Sequence, residues 1–112
     1  EFRRVLFRSA HSVAACMECH SKPGEGGMTD MVNGLGAGGA PVRHAAGVVT
    51  APNITPSGIG HYSDDDLKKV IKTGVKPDGG KLNVAMPTAY FANMTDKDLS
   101  AVVAYLRTLP RK

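Results

Sequence analysis

Two cysteines and a histidine stand close together near the start of this 112-residue chain, in the order Cys16-Met17-Glu18-Cys19-His20. Thiols three positions apart lie on one side of a helical turn, where each can add to a vinyl group of the same porphyrin. The imidazole of His20 then lies beneath the iron as its proximal ligand. This order and spacing is the attachment signature of a c-type haem. We therefore expect one haem c, bound covalently through Cys16 and Cys19.

A paired-cysteine motif also occurs in thioredoxin-like redox proteins and in zinc sites. A redox pair needs a βαβ setting, and no such pattern surrounds residue 16. A zinc site needs four ligands, normally with a second pair of Cys or His at metal spacing, whereas His44 and His61 are isolated. A redox or metal-binding Cys-x-x-Cys module is thus a weaker alternative, and covalently bound haem in the purified protein would exclude it.

The domain organisation depends on how the first nine residues are interpreted. Residues 1–9 resemble a sequencing adapter read through in frame, which leaves a single domain over 10–112; the alternative is a short basic lead-in.

The net charge also depends on this segment. Residues 1–9 carry three arginines and one glutamate, so the rest of the chain has a net charge of +2 rather than +4. That balance, offset further by haem propionates, does not indicate a nucleic-acid partner. No run of 18 apolar residues is present, so membrane association would require a missing segment or a partner subunit.

Three helices are predicted from periodicity and capping residues. The first covers residues 10–20 and carries the haem motif. The second begins after an N-cap at Ser63 and ends at Gly74, and the third begins after a cap at Thr95 and ends before Pro110. The apolar stripes of the last two helices are formed by Leu67, Val70 and Ile71, and by Leu99, Val102, Val103 and Leu106.

Residues 21–60 are rich in Gly and Pro and show no helical period, so we predict a long irregular loop that wraps an edge of the cofactor. Gly34, Gly36 and Gly39 spell a G-x-G-x-x-G pattern within it. No strand precedes them and Pro41 follows at once, which argues against a dinucleotide site. A flexible turn is the interpretation that fits this context.

The second axial position of the iron separates an electron carrier from a haem that binds small ligands. The candidates for it are Met28, Met31, Met86, Met94, His11, His44 and His61. Met94 directly precedes the Thr95 cap, so we expect it to pack against the following helix. Met28 and Met31 follow the haem motif closely, and a chain that wraps the haem needs more residues than this to cross from the proximal to the distal side. A histidine would give bis-histidine ligation, but His61 adjoins three aspartates, which favours a solvated face.

Met86 is better placed than these candidates. It lies in the loop between two predicted helices, and Pro87 favours an extended conformation at Met86 that suits an inward side chain. Packing in the core is the alternative role, since most methionines serve in that way. The residues alone favour ligation.

Taken together, these motifs resemble a group of bacterial monohaem cytochrome c domains, found in the cytochrome subunits of membrane-associated alcohol, gluconate and related dehydrogenases. The matching segments, in order, are 16–20, 51–56, 58–60, 62–65, 74–75, 82, 85–87 and 104–110. The resemblance implies an all-α class I cytochrome c fold, with three to four short helices and long loops around one covalent haem. It also implies Met86 as the distal ligand. Asn53 and Thr55 would lie beside the haem, where they either meet a propionate or serve as turn residues.

The function expected from these observations is outer-sphere electron transfer by one haem c with His20 and Met86 as axial ligands, without enzymatic activity of its own. By analogy with the family, the donor is a periplasmic dehydrogenase or a neighbouring haem, and the acceptor is a quinone site, another cytochrome or an oxidase. The location would be the periplasm or the outer face of the cytoplasmic membrane. A haem sensor or peroxidase-like domain, with an open or displaceable distal site, is the alternative function.

Overall fold

The computed structural model describes residues 16–112, which form five α-helices and one two-stranded antiparallel sheet. In chain order these are α1 (Cys16–His20), a 3-10 turn (Glu25–Gly27), β1 (Pro41–His44), β2 (Gly47–Thr50), α2 (Pro56–Ile59), α3 (Asp64–Thr73), α4 (Thr88–Phe91) and α5 (Asp96–Thr108). Residues 1–9, His11 and the beginning of the predicted first helix lie outside the described residues. No helix within 16–112 is long and apolar enough to span a membrane.

The two longest helices begin at the residues that the capping pattern indicated. The Ser63 hydroxyl accepts a hydrogen bond from the Asp66 amide at 3.0 Å, and Thr95 accepts one from the Asp98 amide at 3.1 Å. Each bond satisfies an amide that has no partner within the first helical turn. At the other end of α3, Gly74 adopts a left-handed conformation with φ 71°, which stops the helix. These predictions are confirmed.

The prediction of a long irregular loop over 21–60 is wrong in two places. Strands β1 and β2 pair from Pro41 opposite Thr50 to His44 opposite Gly47, and α2 adds a helical turn. Val42 and Val49 face each other in this register, and such β-branched residues favour strands. The all-α assignment is therefore confirmed only in part, because residues 16–112 contain a two-stranded sheet besides five helices, where three to four helices and loops were expected. Helices α2 and α4 have four residues each, which is too short for a helical period to show.

The core lies where the last helix meets the others. Its buried residues are Met17, Ile59, Leu67, Phe91, Val102, Val103, Leu106 and Leu109. Helix α5 packs against α2 and α3, and α3 packs also against α4. Met17 has no exposed surface, and it joins the haem motif to the cluster that contains Val102 and Val103 of α5. The position of the motif is therefore fixed by the same packing that holds the last helix.

Arg107 connects α5 to the segment that leads into α3. Its guanidinium donates to the carbonyl oxygens of Ile59 at 3.3 Å and of Tyr62 at 2.6 Å. It also forms an ion pair with Asp64 at 3.0 Å. One side chain of the last helix thus satisfies two carbonyl groups in the segment between α2 and α3.

Candidate haem site

A cavity of about 400 Å³ opens beside α1, and its walls are mostly apolar. The hairpin, α3, α4, α5 and the loop before α4 contribute Val42, Val49, Leu67, Val70, Ile71, Leu82, Phe91 and Leu106 to these walls. Val70 and Ile71 belong to the predicted stripe of α3 but are only half-buried, because they border the cavity. The described structure therefore places a large apolar space directly against the haem motif.

His20 is oriented by a bond to a distant part of the chain. Its Nδ1 lies 2.9 Å from the carbonyl oxygen of Pro52, and a carbonyl only accepts, so Nδ1 carries the hydrogen. The lone pair of the imidazole is then on Nε2, the atom available to a metal. Burial lowers the pKa of His20, and the bond to Pro52 opposes this only in part. The imidazole is thus held in the neutral form that ligation requires.

The glycine-rich segment holds His20 and the segment before Pro52 together through backbone hydrogen bonds. The Gly38 amide donates to the carbonyl of His20 at 2.6 Å, and the next amide, of Gly39, donates to the carbonyl of Ala51 at 2.8 Å. Gly38 has φ 74°, and a Cβ there would lie 2.5 Å from the carbonyl carbon of Pro52. The segment predicted as a flexible turn therefore bridges the motif and the residue that orients its histidine.

Both cysteines of the motif line the cavity as free thiols. Cys16 is half-buried and Cys19 is exposed. Burial raises the pKa of the Cys16 thiol to about 11, so it stays protonated at neutral pH. Two unpaired thiols at the edge of an apolar space are the groups that thioether formation needs.

Met86 also lines the cavity, from the loop between α3 and α4. Its amide donates to the carbonyl of Asn83 at 3.0 Å, and its carbonyl accepts from Thr88 at 2.8 Å, so a tight turn leads from it directly into α4. Among the distal-ligand candidates within 16–112, Met86 is the one that borders the cavity; the others there are Met28, Met31, Met94, His44 and His61. Met28 is 75% exposed and Met31 is 41% exposed. His11 lies outside the described residues.

Asn53 and Thr55 are in contact with each other but differ in their position. Asn53 lines the cavity, whereas Thr55 is fully buried and does not. The side-chain oxygen of Asn53 accepts from the Thr55 amide at 2.8 Å and from the Thr55 hydroxyl at 2.7 Å. Since this oxygen is occupied, the amide group of Asn53 is the donor left to meet an anion in the cavity.

The comparisons with known proteins agree with this geometry. The family model for cytochrome c matches residues 9–110. The chain belongs to the cytochrome c family. It is 39% identical over 93 residues to the cytochrome c subunit of gluconate 2-dehydrogenase from Pantoea cypripedii, covering 80% of the chain. It is 33% identical over 98 residues to the cytochrome subunit of fructose dehydrogenase from Gluconobacter japonicus, covering 85%. The predicted resemblance to dehydrogenase cytochrome subunits is confirmed.

This cytochrome c domain corresponds to a small part of those relatives. It spans 19% of the length of both subunits named above. A third relative, the cytochrome c subunit of alcohol dehydrogenase (quinone) from Gluconobacter oxydans, is 36% identical over 72 residues, which are 62% of this chain and 15% of that subunit. The chain thus spans about a fifth of the length of these three relatives.

The cofactor of the cytochrome c family is covalent haem c with its iron, and the residues around the cavity fit that group. Two free thiols, an imidazole with its Nε2 lone pair available and a thioether border one apolar space. Within 16–112 no three His, Cys, Asp or Glu side chains come together as a metal site of their own. Two thiols, one imidazole and one thioether around an apolar space suit a porphyrin with its iron.

Two features of the site were missed by reasoning from the sequence. The role of Pro52 has no local signal, because its carbonyl meets a histidine 32 positions away. The wall formed by Val42 and Val49 could have been found, since a short glycine-containing turn followed by the β-branched run 48–50 is typical of a hairpin.

Proposed function

We propose that this cytochrome c domain transfers single electrons through one haem c, attached through Cys16 and Cys19, with His20 and Met86 as its axial ligands. The observation that carries the proposal is the shared cavity, where Met86 and the oriented imidazole of His20 border the same apolar space as both thiols. We infer the class I arrangement for the domain over 10–112, with the first and last helices meeting at the haem. The packing of Met17 with Val102 and Val103 supports it.

Bound haem supplies a one-electron couple at its iron, and a methionine thioether favours the ferrous state. The chain's own residues exclude water, orient the proximal ligand and bind the propionates. The apolar walls exclude water, which keeps the surroundings of the iron nearly the same in both oxidation states. The bond from His20 to Pro52 holds the proximal imidazole in one orientation, and Asn53 offers an amide donor to a propionate. If His20 and Met86 both hold the iron, substrate has no place there, and the domain would act as a carrier rather than a catalyst.

The partners follow by analogy with the relatives. Their names describe cytochrome subunits of gluconate, fructose and alcohol dehydrogenases. We propose a dehydrogenase or a neighbouring haem as the donor, and a quinone site, another cytochrome or an oxidase as the acceptor. We propose that this exchange takes place in the periplasm or at the outer face of the cytoplasmic membrane.

The test is the visible spectrum of the reduced protein, matured in a host that attaches haem c, with and without carbon monoxide. We expect a low-spin spectrum that carbon monoxide does not change, and haem absorbance that survives denaturation because the linkage is covalent. Met86→Ala should open the iron and bind carbon monoxide. Met94→Ala is the matched control, because Met94 does not line the cavity, and its spectrum should match that of the unmodified protein.

Ready binding of carbon monoxide by the unmodified protein would contradict the proposed ligation. The distal position would then be open or labile, and a sensor or peroxidase-like role would replace electron transfer. Loss of haem on denaturation would contradict the covalent attachment through Cys16 and Cys19.

A further inference from the structure

One charged residue borders the mostly apolar cavity. Of the residues in 16–112 that line it, Lys76 is the one that carries a formal charge at neutral pH. It belongs to the segment between α3 and α4, which also contains Met86. A cation is unfavourable beside an apolar space unless an anion accompanies it.

A tight turn holds Lys76 in this position. Its amide donates to the carbonyl of Gly80 at 2.7 Å, and its carbonyl accepts from the Gly79 amide at 2.9 Å. The Lys76 side chain passes over Gly80, where its Cδ lies 3.7 Å from the place that a Cβ would occupy. The lysine is therefore presented by a fixed backbone, while its stem keeps the freedom to direct the ammonium group.

Lys76 forms no ion pair with a carboxylate of the described part of the chain, although Asp78 belongs to the same turn. The ion pairs there join Lys68 to Asp96 and Arg107 to Asp64. Asp78, two positions away, uses its carboxylate to accept from the Gly80 amide at 2.7 Å. Lys76 is half-buried, so water screens it only in part. The ammonium group of Lys76 is therefore available to an anionic group on the occupant of the cavity.

We propose that Lys76 binds a propionate of the haem and thereby raises the reduction potential of the domain. This inference rests on the proposed function, since it assigns the anion to the haem placed there. A carboxylate near the iron stabilises the ferric state, which carries one more positive charge than the ferrous state. An ammonium group that pairs with the carboxylate weakens this stabilisation. Lys76 is thus a positioning residue that acts on the iron through the propionate.

The experiment compares midpoint potentials of the haem-loaded proteins, measured by spectroelectrochemical titration at one pH and at low and moderate salt. Lys76→Gln should lower the potential, and Lys76→Arg should keep it close to that of the unmodified protein. Lys81→Gln is the matched control, because Lys81 belongs to the same turn but is exposed and does not border the cavity. Its effect should be smaller and should fade with salt, while that of Lys76→Gln persists.

Equal potentials for Lys76→Gln and the unmodified protein, or equal shifts for Lys76→Gln and Lys81→Gln, would overturn the inference. If Lys76→Gln does not retain haem, Lys76→Met replaces it, since this variant keeps an apolar stem of similar length. A low-spin spectrum indifferent to carbon monoxide, recorded for each variant, would show that the proposed function stands even where the Lys76 inference fails. Absence of a reversible one-electron couple in the unmodified protein would overturn both.

Discussion

The Nδ1 atom of His20 lies 2.9 Å from the carbonyl oxygen of Pro52, so the residue that completes the haem motif is oriented from 32 positions away. Gly38 fits between them, since its amide donates to the carbonyl of His20 and its Cα packs on the Pro52 backbone. His20 is therefore held at two points, by its backbone carbonyl and by its imidazole ring. Such outer contacts set the orientation and basicity of a ligating histidine.

Gly38→Ala should disturb this arrangement. The new Cβ would lie 2.5 Å from the carbonyl carbon of Pro52 and 2.6 Å from the amide nitrogen of Asn53, which are backbone atoms that cannot simply turn away. Gly26→Ala is the matched control, because Gly26 has φ 68° and nothing within 4 Å of a Cβ. The left-handed conformation alone costs about 1–2 kcal/mol in either variant. We expect Gly38→Ala to lose roughly 1–3 kcal/mol more through overpacking.

Denaturant unfolding of the two haem-loaded variants measures this difference, and the midpoint potential reports on His20. The potential should change in Gly38→Ala and not in Gly26→Ala. Equal losses of stability in both variants would show that the Pro52 segment moves aside without resistance.

The helix caps, which local sequence encodes, were predicted correctly. Ser63 and Thr95 are polar residues directly before an apolar stripe, and their hydroxyls cap α3 and α5 as expected. Capping depends on groups three positions apart in the chain, so one sequence contains all the information. The haem motif is equally local, since its thiols and imidazole lie within five residues.

The parts that depend on distant contacts could not be predicted in this way. The carbonyl of Pro52 has no side-chain signature, and Lys76 becomes informative only because the fold brings it to the cavity. Helices of one turn, such as α2, have no period to detect. The hairpin was missed for another reason, because the glycine content of 21–60 outweighed the β-branched run near Val48.

Arg107→Gln should destabilise the domain by about 1–3 kcal/mol, because two carbonyl groups lose a charged donor. These are the carbonyls of Ile59 and Tyr62, at 3.3 and 2.6 Å. Asp64→Asn is the control that removes the ion pair alone, and it should cost less than about 1 kcal/mol because exposed pairs contribute little. Asp64 is 69% exposed at its side chain. Urea unfolding measures the free energy of unfolding of both variants. A larger loss of stability in Asp64→Asn would mean that the ion pair, and not the carbonyl hydrogen bonds, connects α5 to α3.

Thr95→Ala should lower the free energy of unfolding by about 1 kcal/mol, because the Asp98 amide loses its cap. Thr95→Ser keeps a hydroxyl in the same place and should retain most of the stability. Thermal unfolding of the haem-loaded proteins compares the two. Equal losses in both variants would indicate that the Thr95 methyl group, and not its oxygen, is what α5 requires.

The last prediction compares Thr55, which supports the site from the interior, with Asn53, which lines the cavity and is expected to contact the haem. Thr55→Val replaces a buried hydroxyl that donates to Asn53 at 2.7 Å, while the Thr55 amide keeps its own bond to the same oxygen at 2.8 Å. We expect a loss of about 1–2 kcal/mol in unfolding free energy, since a buried hydrogen bond disappears. The midpoint potential should stay unchanged, because Thr55 does not border the cavity.

Asn53→Ala should change both quantities. It removes the oxygen that Thr55 donates to, and it removes the amide group that we expect to face a propionate. Losing a donor to that carboxylate leaves more negative charge near the iron, so the midpoint potential should fall. Stability and potential are measured on the same haem-loaded samples. A fall in potential of similar size in Thr55→Val would contradict this prediction, because it would show that the Thr55 hydroxyl itself meets the propionate.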